Sequence, residues 1–150
     1  MSSMSGIKIL PNVLEQYEKL QKKHELKYII FKIGTPEGGK DDVIYVDCAE
    51  PSADKSQEEH YDDFLKKLQE KPGEGRYAVF DFDCGDNAVK IVFIAWVPDG
   101  IKVKQKMLYA SSKEAIKAKL DGIKVYIQAS DSSEITEEAV RAKCLEKSYR

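Results

Sequence analysis

RYAVFDFDCGDNAVKIVFIAWV, residues 76–97, decides the fold. Its two halves, 76–84 and 89–97, read as adjacent β-strands around the short turn Gly85-Asp86-Asn87. The second half is almost continuously apolar, the signature of a strand covered on both faces, so helices must lie on either side of the sheet. Pro98, Asp99 and Gly100 stop it.

Upstream, KYIIFKI (27–33) and DVIYVDC (42–48) are two further β-rich runs, and GTPEGGKD (34–41) between them carries hairpin-turn chemistry. PNVLEQYEKLQKK (11–23) reads as a helix with Val13, Leu14, Tyr17 and Leu20 at helical spacing. SQEEHYDDFLKKLQEK (56–71) is a second, with Ser56 and Glu59 at capping-box spacing and Tyr61, Phe64, Leu65 and Leu68 in one stripe. Downstream come a long basic helix over 102–120, a short strand around VYIQA (125–129) and a last helix. That helix starts near Asp131–Ser133, with Glu134 as its capping partner and Val140 and Cys144 on one side. These elements predict one domain over 1–150, α/β or α+β: a mixed five- to six-stranded sheet sandwiched by helices, with a short flexible N-terminal segment at 1–6.

A chain of 150 residues with 42% hydrophobic and 33% charged residues suits a soluble globular domain. There is no long apolar run, and MSSMSGIKIL lacks the basic and apolar regions of a signal peptide, which points to the cytoplasm. Cys48, Cys84 and Cys144, odd in number and far apart, suit reduced thiols better than a disulfide framework or a zinc site.

Chemistry of the enzymatic kind finds little support. Gly34 to Lys40 matches G-x-x-x-x-G-K, but Asp41 stands where a phosphate-binding loop needs Ser or Thr, and a strand follows rather than a helix. His24 and His60 fall in different predicted helices without metal-ligand spacing and read as surface or helix-end residues. Asp81 and Asp83 alternate on one strand and share a face, most simply as solvated or ion-paired carboxylates. No enzyme and no cofactor is expected.

Charge is more informative. Between Asp41 and Asp63 acids crowd the chain, with Lys55 as the only lysine or arginine. Between Lys102 and Lys124 the balance reverses, although the net charge is −2. Such opposed fields suggest a face steered towards an acidic partner. In the basic helix, KVKQKMLYASSKEAIKAKL, the residues Tyr109, Ser112, Ile116 and Leu120 form an apolar stripe, widened by Leu108 and Ala115, that should dock on the sheet. Lys106, Ala110, Lys113 and Lys117 form a second stripe expected on the other side, with Met107 and Glu114 beside it. A flexible, polarizable methionine among outward lysines fits a protein contact; a solvated face is the plain alternative. A phosphoinositide headgroup would also suit the lysines, whereas nucleic acid fits poorly, since no aromatic interleaves with them to stack bases.

WVPDG and KVKQKMLYASSKEAIKAKLDGI, together with RYAVFDFD, KIVFIAW, IQASDSSEIT, YIIFKI and YDDFLKKL, closely resemble the actin-depolymerising factor/cofilin family over nearly the whole chain. K-x-K-M-x-Y-A-S-S-K also sets the chain apart from the glia maturation factor and coactosin-like branches. The resemblance implies the ADF-homology (gelsolin-like) fold. It implies a monomeric, cytoskeletal, non-enzymatic protein that binds actin monomers and the sides of ADP filaments, severing and depolymerising them. Lys104, Lys106 and Met107 match the family's contact set, Lys104 by resemblance alone; Lys113, Glu114 and Lys117 match positions further along. Ser5-Gly6-Ile7 matches the N-terminal actin contact, whose serine is phosphorylated in the family, behind the extra residues MSSM. The filament-side surface implied by the family matches loosely: Lys90 beside an acidic turn, and Arg141, Lys143 and Lys147. Phosphoinositides are implied as competing ligands, and the basic nuclear-localisation insert of vertebrate members is missing.

Overall fold

A computed structural model describes residues 6–85 and 87–146. The central pair is as the alternation demands. β4 (Arg76–Gly85) and β5 (Ala88–Trp96) run antiparallel, with Val79 opposite Phe93. Tyr77 and Val79 of β4 and Phe93 and Ala95 of β5 point to one face, while Ala78, Phe80, Phe82, Val92 and Ile94 point to the other. Both faces are therefore buried.

Four more strands complete a mixed sheet: β1 (Lys8–Ile9), β2 (Leu26–Gly34), β3 (Val43–Pro51) and β6 (Ile123–Ala129). The order is β1-β3-β2-β4-β5-β6, antiparallel in the middle and parallel at each edge. A parallel β5–β6 pair cannot be closed by a tight turn and needs a crossover, and the long basic helix supplies it.

The helices are α1 (Pro11–Gln21), α2 (Gln57–Leu68), α3 (Val103–Lys119) and α4 (Glu137–Leu145). α1 and α3 cover one face through Val13, Tyr17, Leu20, Tyr109 and Ile116, all buried against Ile29, Phe31, Tyr77 and Phe93. α2 and α4 cover the other through Tyr61, Phe64, Leu68, Val140 and Cys144. Here aromatic rings pack edge to face, Tyr28 on Phe64 at 5.1 Å and Tyr61 on Phe80 at 5.2 Å. The fold is α+β, a six-stranded sheet between two helical layers.

The capping box forms as read: the Glu59 amide donates to Ser56 Oγ, and the Ser56 amide to Glu59 Oε1. The C-terminal end differs from the expected single helix. Asp131 and Glu134 do make a capping box, but around a single 3₁₀ turn at Ser132–Ile135. α4 starts afresh at Glu137, with Thr136 Oγ1 accepting from the Ala139 amide.

Gly34–Lys40 is a hairpin turn, with Gly38 at φ +81 and the Gly39 amide donating to the Pro36 carbonyl, and β3 follows it. His24 lies beyond α1 in the left-handed region, φ 54, its Nδ1 3.0 Å from Oδ2 of the buried Asp81. Asp83 instead binds the Gly85 amide. His60 is not a surface residue: α2 turns it inward beside Tyr61, where it is buried. Cys84 and Cys144 are buried free thiols, and Cys48 is a half-buried one.

Candidate functional site

The position of α3 is fixed from beneath by Tyr109. Its ring is buried against Tyr77, centroids 5.0 Å apart, and its hydroxyl accepts the Ile33 amide of β2 at 2.9 Å. The Tyr77 hydroxyl donates back to the Tyr109 carbonyl. Burial raises the Tyr109 pKa, against the opposing pull of the Ile33 amide and Arg76. Gly75 packs close to this ring: a Cβ there would lie 3.0 Å from Tyr109 Cδ1. Its amide donates to Gln105 Oε1 of α3 at 3.3 Å. At the far end the Tyr17 hydroxyl binds the Asp121 carbonyl, just before Gly122 turns the chain at φ +85. The helix is thus held along its length by bonds that leave its outer face open.

That outer face is not the lysine stripe. Measured from the centre of the buried Tyr109–Ser112–Ile116 line, Lys106, Lys113 and Lys117 lie about 70–110° round the helix, on its flank. All three are half-buried. Lys113 Nζ donates to Gln128 Oε1 of β6 at 2.9 Å, and Lys117 Nζ sits 4.3 Å over the Tyr126 ring and 3.5 Å from Glu114. An aromatic does therefore accompany these lysines, supplied by the neighbouring strand rather than by the helix.

The surface ridge is Val103, Lys104, Met107, Ser111 and Glu114. Val103 is 69% and Met107 65% exposed, so two large apolar side chains one turn apart stand in solvent. Lys104, which helical spacing did not place with the second lysine stripe, is on this ridge. Charge adds to it. Lys102 supplies no side-chain cap, and no acidic residue lies in the first turn of α3, so unpaired amides and the positive end of the helix coincide with Lys102, Lys104 and Lys106.

Beside the ridge runs a groove of about 530 Å³ lined by Asp42, Val103, Lys104, Met107, Leu108 and Ser111. Asp42 comes from the β2–β3 turn, a contact that no local pattern could reveal. Lys8 of β1 pairs in parallel with Val43, so the backbone of Gly6 and Ile7 enters at the same end of the sheet as Asp41 and Asp42. Of the residues singled out by sequence, the fold brings Gly6, Ile7, Lys104 and Met107 to this end of the molecule, with Lys106, Lys113, Glu114 and Lys117 following along α3. Ser5 lies outside the described residues.

The filament-side candidates are differently placed. Lys90 Nζ donates to the Cys144 carbonyl at 2.6 Å. Arg141 pairs with Glu137 at 2.9 Å and lies 5.7 Å from the Phe82 ring centre. Lys143 is exposed, and Lys147 lies outside the described residues. Among the described residues no group of histidine, cysteine and carboxylate side chains could hold a metal ion.

Comparison with known proteins gives a consistent result. The profile of the family described as Cofilin/tropomyosin-type actin-binding protein matches residues 6–145. Actophorin of Acanthamoeba castellanii is 37% identical over 140 residues, 91% of this chain and 94% of its own length. Cofilin of Schizosaccharomyces pombe is 36% identical over 148 residues, 97% and 99% respectively. The crystal structure of a Streptomyces griseoflavus cofilin superposes with a TM-score of 0.77 at 37% identity, covering 93% of this chain and 98% of that one.

Proposed function

The chain belongs to the cofilin/ADF family of actin-binding proteins, and on that premise we propose that the α3 ridge is its actin contact and that it promotes filament turnover. The observation that carries the reading is the exposed pair Val103 and Met107, with Lys104, on a helix whose opposite face is locked to the sheet. Exposed apolar anchors ringed by cations fit a partner that is acidic around an apolar cleft. Gly6, Ile7, Lys106, Lys113, Glu114 and Lys117 extend the contact, and the whole chain acts as one such domain, monomeric and associated with the cytoskeleton.

The protein binds monomers and the sides of ADP filaments and acts without chemistry. By favouring a twisted filament conformation it shifts that state's population and weakens contacts between subunits, so filaments sever and depolymerise. Phosphorylation of Ser5 would add roughly two negative charges beside the lysine-rich contact and weaken binding. Phosphoinositides would compete through the cleft lined by Lys113, Lys117, Tyr126 and Gln128.

Imaging of labelled ADP filaments tests this. Breaks along filament length, together with weakened binding by Ser5→Glu and normal binding by Ser5→Ala, are the expected results; intact filaments and equal affinities would contradict it.

One observation favours a second reading. Lys90 and Arg141 are engaged within the molecule, which leaves Lys143 as the freer cation on that face among the described candidates. A domain that sequesters monomers but grips filaments weakly would show polymer loss without breaks.

A further inference from the structure

The groove beside α3 has one acidic wall. Asp42, from the β2–β3 turn, lines it together with Lys104, Met107 and Leu108 of α3, and it is the only carboxylate in a lining otherwise made of apolar side chains, a lysine and a serine. Its position is anchored on both sides. Thr35 Oγ1 donates to Asp42 Oδ1 at 2.8 Å, and the next residue, Val43, pairs with Gly34 of β2 and with Lys8 of β1. Asp42 and Lys104 line the same groove without forming an ion pair, so each presents charge of opposite sign to whatever enters. Among the described residues Oδ2 is without a hydrogen-bond partner.

We propose that Asp42 determines specificity in this groove. The groove receives an apolar side chain of actin between Val103, Met107 and Leu108, and a cationic or N–H donor group of the same segment binds the Asp42 carboxylate. The proposal rests on the reading of the α3 ridge as the actin contact. It follows from charge complementarity. The lysines alone would accept any acidic surface, whereas a purely acidic segment seated in the groove is repelled at Asp42. A mixed apolar and basic segment satisfies both walls. The β2–β3 turn thereby becomes part of the recognition surface rather than a mere connection.

The test is a fluorescence titration of labelled monomeric ADP-actin with the full chain, at low and moderate salt, using Met107→Ala, Asp42→Asn, Asp42→Lys and the Met107→Ala/Asp42→Asn pair. Urea midpoints confirm that each variant folds. Met107→Ala should weaken binding about tenfold or more. Asp42→Asn should weaken it about three- to tenfold, and Asp42→Lys further. The double variant should lose less than the product of the single losses, because both residues hold one segment. Parent-like binding by Met107→Ala overturns the ridge and, with it, this proposal. A weakened Met107→Ala together with Asp42 variants that bind as the parent does, or more tightly, leaves the ridge standing and overturns the role of Asp42.

Discussion

Replacing Tyr109 with Phe removes one oxygen and leaves the ring in place. The hydroxyl is the acceptor for the Ile33 amide at 2.9 Å, and Tyr109 is 1% exposed. The variant therefore strands a buried donor, at a cost of about 1–3 kcal/mol. The Tyr77–Tyr109 ring contact at 5.0 Å survives, so little packing is lost. For a chain of this size, about 2 kcal/mol corresponds to a fall in Tm of roughly 4–8 °C. Urea denaturation should show the midpoint falling at unchanged slope. Tyr77→Phe is the control: it removes a donor to a helix carbonyl that keeps its place in the helical ladder, and should cost less, about 0.5–1.5 kcal/mol. Actin affinity of the folded Tyr109→Phe protein should match the parent's, since the ridge faces away. A loss below about 0.5 kcal/mol, the level of ordinary surface substitutions, would refute this account of how α3 is clamped.

Gly75→Ala places a methyl 3.0 Å from the Tyr109 ring and beside the Trp96 carbonyl, so it should destabilise by about 1–3 kcal/mol, visible as a lower urea midpoint; an unchanged midpoint would show that α3 yields freely. Burial pushes the Cys48 thiol from the usual 9 to about 11, so its thiolate fraction at pH 8 is about a hundredfold lower and iodoacetamide should label it slowly until urea unfolds the chain. Rapid labelling of the native protein would contradict that burial. The bond from Arg76 holds Glu74 below the ordinary glutamate range, and the bond from the Tyr28 hydroxyl does the same for Asp63. A depressed carboxylate stabilises the fold above its unfolded pKa and loses that contribution as pH falls through the folded value. Stability should therefore decline below about pH 4.5, less steeply for Glu74→Gln, and parallel declines would count against the Arg76 pair.

Most of the sheet was legible because alternation is a local signal. Residues 76–97 announced two strands and two covering layers, and both layers are there. β1 escaped notice because two residues carry no period; only the partner at Val43 and Ile44 defines it. His60 lacks metal-ligand spacing, and that absence cannot tell a surface histidine from a buried one; it sits one residue before Tyr61 on the inward face of α2. The lysine stripe illustrates a different error. The apolar stripe was found correctly, but its opposite side lies half a turn away, at Lys104, Met107, Ser111 and Glu114. The lysines at 106, 113 and 117 fall between the two, and residues of β6 engage Lys113 and Lys117 there. Asp42 and Tyr126 reach α3 only through the tertiary fold, so no pattern within the helix could have named them.

The central claim is that the exposed ridge of α3, not its lysine flank, carries most of the actin affinity. The most direct measurement is the dissociation constant for monomeric ADP-actin of Lys104→Glu/Met107→Ala set beside that of Lys117→Ala. The ridge variant should bind about a hundredfold more weakly or worse with an unchanged urea midpoint, and Lys117→Ala within a fewfold of the parent. A ridge variant that binds like the parent, or a flank variant that loses more than it, would contradict the account.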